Sequence, residues 1–238
     1  MTAKNTPASA ELNPGPGFRI KNKIQRPSAK LIERFREFDT PDISDLMNRL
    51  YTMDPGIKNL VNGDRIVGPV CTVKVFPGDN LMVHKALDIV SPGDVVVVDA
   101  GGSSMNGIMG DLIANKAKHR GIAAFVIDGF IRDLPGIQEV GMPVYARGVT
   151  PIGPLHRGPG EVNFPVCCGG IVVLPGDILC GDANGVVVVR REFAEELICQ
   201  LDHKKESLQN YIENVKKGVF SNEWVDKILE THRCPKID

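Results

Sequence analysis

The spacing of apolar positions changes period several times along the chain, and each change predicts an element. Thr40-Pro41-Asp42 reads as an N-cap, a proline at the first helical position and an acid in the first turn, and Ile43, Leu46, Met47 and Leu50 then recur at helical spacing. Arg65 to Phe76 alternates and is rich in valine, which predicts a strand; Pro77-Gly78-Asp79 turns it into a second helical pattern around Leu81, Val83, Leu87 and Ile89. Val95 to Val98 is a continuous apolar strand that closes on Asp99-Ala100-Gly101-Gly102. The stretch GDLIANKAKHRGIAAFVIDGFIRD, Gly110 to Asp133, reads as a helix, a strand and a polar turn. Strand, glycine-rich loop, helix and second strand within roughly thirty residues predict a βαβ unit. Met142 to Ala146 is a further short strand, Gly148 to Pro165 is loop-rich, and Gly169 to Arg190 predicts three short strands with Asp182 to Gly185 as a hairpin turn.

The two ends differ from this middle. Residues 1 to 28 carry four prolines and no periodicity, predicting an extended arm that is disordered or wraps a neighbouring subunit. From Arg191 to about Lys217 a long helical pattern carries Phe193, Leu197, Leu201, Leu208 and Ile212 as an apolar stripe. Trp224 stands at helical spacing from Ile228 in the last twenty residues, a tail expected to pack on the domain or a neighbour. The expected organisation is an arm over 1–28, one main domain over 29–217 and a tail over 218–238.

Composition narrows the partners. With 238 residues and 42% hydrophobic content, one large core is available, and a net charge of −1 with mixed signs lacks the footprint of a nucleic-acid or membrane-surface binder. The six cysteines form no CxxC pair, and Cys167-Cys168 lies in an apolar stretch, which suits buried thiols in a reducing compartment. The N-terminus has no apolar core of signal-peptide length and no later run approaches a membrane span, so the expectation is a soluble cytoplasmic protein with a small-molecule ligand.

The βαβ unit places chemistry at one edge. In parallel strands the C-terminal ends lie beside the N-terminus of the connecting helix, so Asp111 and Arg132-Asp133 are expected to meet. The first-turn N–H groups of Asp111, Leu112 and Ile113 lack intrahelical acceptors and can cradle a carboxylate. Arg132 can grip a carboxylate or an enolate oxygen, and Asp133 is an oxygen ligand suited to Mg²⁺ or Mn²⁺. The plain alternative is a favourably placed first-turn acid and a charged turn before Leu134-Pro135-Gly136. Gly101, Gly102, Gly107 and Gly110 match neither GxGxxG nor a P-loop, and no zinc-ligand spacing or nucleophile elbow occurs. The repeated Pro-Gly-Asp at residues 77–79, 92–94 and 175–177 predicts structural turns. His84 is expected as a surface or capping residue, and His156-Arg157 as part of a solvated loop.

Asp111, twenty intervening residues and Arg132-Asp133 resemble the D-x20-R-D signature of the RraA-like family, in particular its class II pyruvate aldolases acting on 4-hydroxy-4-methyl-2-oxoglutarate or 4-carboxy-4-hydroxy-2-oxoadipate. The resemblance covers roughly residues 40 to 217, including SPGDVVVVDAGG and LPGDILCGDANGVVVV. It implies an α/β chain of β/β/α swivelling-domain fold, containing the βαβ unit and flanked by terminal helices, that forms a homotrimer or homohexamer with sites at subunit interfaces. It implies that Gly110, Asp111, Leu112, Ile113 and Arg132 hold the pyruvyl part of an oxo-acid substrate, that Asp133 binds Mg²⁺ or Mn²⁺, and that an acid enters from a neighbouring subunit's C-terminal helix, for which Glu206 is the candidate. A water held by Asp111 would take the 4-hydroxyl proton, Arg132 and the metal would stabilise the pyruvate enolate, and oxaloacetate would be decarboxylated through the same enolate. The other branch of the family implies a non-catalytic regulator that binds ribonuclease E; there glutamate resembles the position of Asp111, which favours the enzyme branch. A menaquinone methyltransferase has no support, since no suitable glycine-rich nucleotide loop is present.

Overall fold

The computed structural model describes residues 11–235 and residue 237. In chain order the elements are β1 (Phe18–Ile20), α1 (Ala29–Phe35), α2 (Thr40–Leu46), β2 (Lys58–Asn59), β3 (Ile66–Val75), α3 (Leu81–Ala86), β4 (Val95–Gly107), α4 (Asp111–His119), β5 (Ala124–Ile131), α5 (Leu134–Val140) and β6 (Val144–Val149). They continue with β7 (Gly160–Val162), β8 (Val166–Cys168), β9 (Ile171–Val173), β10 (Ile178–Asp182), β11 (Gly185–Val189), a 3₁₀ turn at Arg191–Phe193, α6 (Ala194–Lys216) and α7 (Glu223–Thr231). The main sheet runs β1-β7-β3-β4-β5-β6-β2, and β3 also pairs with the β10–β11 hairpin. β3, β4, β5 and β6 are parallel, as the βαβ reading requires.

The valine runs are explained by a sheet covered on both faces. Val96 and Val98 share one cluster with Met82 and Val83 of α3, Ile113 and Ala117 of α4, and Ile137 of α5. Val95 and Val97 share the other with Val166, Val173, Leu179 and Val186 of the later strands. The result is a helical layer, a central sheet and a second β layer. Val95 to Val98 are each fully buried, which contributes about 1.5–3 kcal/mol apiece relative to exposure.

Where the strands end, the alternation places charge inside. Lys74, Asp99 and Asp128 are neighbours in register, and Arg147 ion-pairs with Asp128. Asp99 accepts from Lys74 and from the Cys167 N–H, and Asp128 accepts from Arg147 and, at 2.7 Å, from the Gly169 N–H. These bonds compensate two carboxylates that are 2% and 7% exposed, and they fasten the β8 segment over the sheet.

Several local expectations need correction. The cap of α2 is Asp39, and Thr40 is the first helical residue, with its N–H and hydroxyl both donating to Asp182 at 2.9 and 2.7 Å. The helix stops at Leu46, Asn48 and Arg49 turn left-handed, and Leu50 is 71% exposed. Gly101 and Gly102 lie within β4 as left-handed bulge residues, so the strand continues to Gly107. Of the stretch expected as an arm, residues 1–10 lie outside the described residues; Phe18–Ile20 pairs with β7, and Arg26 reaches the buried Asp94 carboxylate at 2.7 and 2.8 Å. The Asp94 bond holds the Arg26 guanidinium above its ordinary pKa.

Contacts divide the chain into Met1–Ile198 and Cys199–Asp238. The second unit contains most of α6 and all of α7, on which Trp224 and Ile228 are exposed. Among the described residues no helix is long and apolar enough to cross a membrane. Cys71, Cys168 and Cys180 are buried free thiols, whereas Cys167, Cys199 and Cys234 are exposed.

Candidate functional site

The two halves of the central motif are tied together before any side chain is considered. The Ile108 N–H donates to the Phe130 carbonyl at 2.8 Å, and the Arg132 N–H donates to the Met109 carbonyl at 2.9 Å. This short ladder brings the start of α4 against the end of β5. Gly110 is the extended N-cap of α4. A methyl group there would strike the Asp133 carboxylate, and one at Gly107 would lie 2.9 Å from Arg132 Cβ. Close approach of the two segments therefore depends on glycine at both positions.

The chain leaves β5 through Asp133 in the left-handed region, φ 56° and ψ 38°, and enters α5 directly. That conformation costs a non-glycine residue about 1 kcal/mol. It turns the Asp133 carboxylate back toward Gly110, with Oδ2 3.1 Å from Arg132 Nε. Arg132 and Asp133 remain 39% and 42% exposed, so the pair is accessible to a ligand. On α4, Asp111 Oδ1 accepts from the Leu112 N–H at 2.7 Å. Gly136 of α5 faces Asp111 so closely that an added Cβ would sit 2.8 Å from Asp111 Cβ.

Gly110, Asp111, Leu112, Ile113, Arg132 and Asp133 all line one cleft of about 200 Å³, which the structure thus assembles from the residues expected to meet. Glu206 is exposed on α6 in the second unit, and its expected role belongs to a neighbouring copy. The same cleft is lined by Asn80 and Lys116, and by His84 and His156, to which the residue pattern assigned no chemistry. His84 and His156 meet edge to face with centroids 5.6 Å apart. Partial burial, Lys116 and His156 together hold His84 below the usual imidazole pKa. His156 is delivered by the first Pro-Gly-Asp turn: Asp79 accepts from the Arg157 N–H at 2.6 Å, and the Leu155 N–H donates to Gly78 at 2.8 Å. All three such turns are structural, for Asp94 accepts from the Ser91 N–H and Asp177 from the Leu174 N–H. Their sequence gave no sign that the first one holds a cleft-lining loop.

The RraA-like profile, described as Aldolase/RraA, matches residues 40–188. The chain belongs to the RraA-like family. A protein of Halalkalibacterium halodurans, provisionally named 4-hydroxy-4-methyl-2-oxoglutarate aldolase, is 42% identical over 176 residues, covering 74% of this chain and 83% of the relative. An Azotobacter vinelandii protein with the same provisional name is 35% identical over 153 residues, covering 64% and 94%. Among solved structures, Streptomyces coelicolor RraAS2, described as an unusual member of the RNase ES inhibitor RraA family, aligns with TM-score 0.73 at 28% identity over 79% of this chain and 98% of that one.

The donor set in the cleft suits a hard divalent ion held by few protein ligands. Among the described residues no group of three or more His, Cys, Asp or Glu has metal-holding geometry. Asp133, with Asp111 lining the same cleft, offers carboxylate oxygens of the kind Mg²⁺ or Mn²⁺ accepts while water and substrate supply the rest.

Proposed function

We propose that this chain is a divalent-metal-dependent class II aldolase that cleaves a 4-hydroxy-2-oxo di- or tricarboxylate, such as 4-hydroxy-4-methyl-2-oxoglutarate or 4-carboxy-4-hydroxy-2-oxoadipate, to pyruvate and a second oxo acid. The observation that carries this reading is the meeting of Arg132, Asp133 and the first turn of α4 in one cleft. The names of the two sequence relatives support it.

The first-turn N–H groups of α4, that of Leu112 on leaving Asp111 Oδ1, and the Arg132 guanidinium bind the pyruvyl carboxylate and orient the keto group. Asp133 would hold the metal, which when bound would supply Lewis-acid polarisation to the keto group. Asp111, through a water, takes the proton from the 4-hydroxyl as the C3–C4 bond breaks. Arg132 stabilises the negative oxygen of the resulting enolate. Oxaloacetate reaches the same enolate by losing carbon dioxide, so decarboxylation is the expected side activity. In the assembled trimer or hexamer, Glu206 from a neighbouring subunit is the candidate for an added acid.

Purified protein supplied with Mg²⁺ is expected to release pyruvate from these substrates, and EDTA to abolish the release. Metal-independent turnover, or full activity in Asp133→Ala, removes this mechanism. The description of RraAS2 favours a second reading, a non-catalytic regulator of a ribonuclease. Lack of lyase activity together with stoichiometric capture of a ribonuclease of that type would select it.

A further inference from the structure

The aldolase reading leaves one proton transfer without a residue. Cleavage leaves the C3–C4 electron pair on C3, and the pyruvyl carbon must then gain a proton before release. Asp111 serves the hydroxyl oxygen, and Arg132 stays protonated throughout.

The imidazole of His156 is held for proton exchange at one nitrogen. Its Nδ1 lies 2.6 Å from Asn80 Oδ1. Asn80 is 2% exposed and its Nδ2 donates to the Ile108 carbonyl at 2.9 Å. A carbonyl can only accept, so this bond fixes the amide with Oδ1 toward His156, and that oxygen also only accepts. His156 Nδ1 must therefore carry its hydrogen whether the ring is neutral or positive. The proton comes and goes at Nε2, and the ring need not turn. The flanking backbone is fixed too: the Asn80 N–H donates to the Leu155 carbonyl at 3.0 Å, and the Arg157 N–H to Asp79 Oδ2 at 2.6 Å. Partial burial, Lys116 and His156 lower the His84 pKa, which disfavours a second cation beside the ring.

We infer that His156, oriented by Asn80, exchanges the proton with C3 of the pyruvyl group; this rests on the aldolase reading of the cleft. In cleavage, Nε2–H of the imidazolium gives its proton to C3. The enolate double-bond electrons form the new C–H bond and the keto group is restored. Neutral His156 then regains from solvent the equivalent of the proton that Asp111 removed from the hydroxyl. In the reverse direction the bare Nε2 takes a proton from the pyruvate methyl group. Asn80 is a positioning residue, because it acts through His156.

Exchange of pyruvate methyl protons for deuterium reads the carbon step alone. Full-length protein with Mg²⁺ is incubated with pyruvate in D₂O and followed by proton NMR, with pyruvate binding measured in parallel by saturation transfer. His156→Ala is expected to slow exchange about 10²-fold while still binding pyruvate, with partial rescue by added imidazole. Asn80→Ala is expected to slow exchange without that rescue. Exchange in His156→Ala within twofold of wild type, or its loss in Lys116→Ala instead, overturns the assignment while leaving the aldolase reading intact. Wild-type protein that neither cleaves the hydroxy-oxo acids nor decarboxylates oxaloacetate removes that reading, and this inference with it.

Discussion

Gly136→Ala separates the stability of the site from its chemistry. Gly136 lies inside α5, where alanine is intrinsically favoured by about 0.5–1 kcal/mol. Yet the new methyl carbon would stand 2.8 Å from Asp111 Cβ and 2.9 Å from Asp111 Oδ2. Carbon atoms in contact prefer separations of about 3.5 Å or more, so the overlap is roughly 0.7 Å. The blocked atom is Cβ, so a rotamer change cannot relieve the clash and the backbones of α4 and α5 must part. Overpacking of this kind costs about 1–3 kcal/mol, offset in part by the helix preference. The expected loss of stability is about 0–2 kcal/mol, a fall in Tm of at most several degrees for a chain of this size. Displacing a catalytic carboxylate by a large fraction of an ångström has a larger effect, about 10²-fold in kcat/KM. Pyruvate release coupled to NADH oxidation, alongside a thermal melt, measures both. Wild-type kcat/KM in Gly136→Ala would falsify the claim that the α4–α5 approach sets the position of Asp111.

The other expectations concern charge and burial. Arg132→Lys retains a cation but loses the planar fork, so kcat/KM should fall about 10²-fold while Tm stays within a degree or two, because an exposed ion pair contributes little; an unchanged kcat/KM would restore the charged-turn reading. Asp128→Asn should destabilise by about 2–3 kcal/mol in urea titration, less than a fully buried pair costs, because Arg147 is 24% exposed and also meets Asp54; no change would mean that the β8 segment does not depend on this row. Burial pushes the Cys71 and Cys180 thiols up to about 12, whereas an unfolded thiol ionises near about 8.5. Between those values the unfolded chain binds fewer protons, so stability should fall as pH rises, approaching about 1.4 kcal/mol per pH unit per thiol; a constant urea midpoint from about pH 8.5 to about 10.5 would contradict this.

The parts of this fold that were legible are those where one local rule decides. Val95–Val98 has no polar alternation because both faces of β4 are covered, and that run together with the amphipathic start of α4 was enough to predict a parallel βαβ unit and the meeting of Asp111 with Arg132-Asp133. Gly101-Gly102 read as a loop, since two glycines normally end a strand, but pairing with β5 resumes beyond them at Ser103. The helix that begins at Leu134-Pro135-Gly136 was not legible, because proline and glycine are poor helix formers. Proline is tolerated in the first turn of α5, and glycine is required there by Asp111 across the gap. His156 was hidden for a different reason. Its place in the cleft depends on bonds to Asp79 and Asn80, more than seventy residues earlier, and no spacing pattern encodes such a contact.

Three constraints converge on this one cleft: a left-handed aspartate at 133, a glycine inside a helix at 136, and a glycine at 110 that no side chain could replace without striking Asp133. The first two oppose what backbone and helix preferences alone would select. A broad face for docking another protein would not need a carboxylate turned inward by strained backbone, nor a helix opened to admit Asp111. A small, precisely held ligand would. The concentration of such costs around Asp111, Arg132 and Asp133 therefore supports a catalytic pocket over a regulatory surface. The argument extends to Asp133→Gly, which relieves the left-handed strain and so should leave the fold at least as stable while removing the carboxylate on which the proposed metal depends.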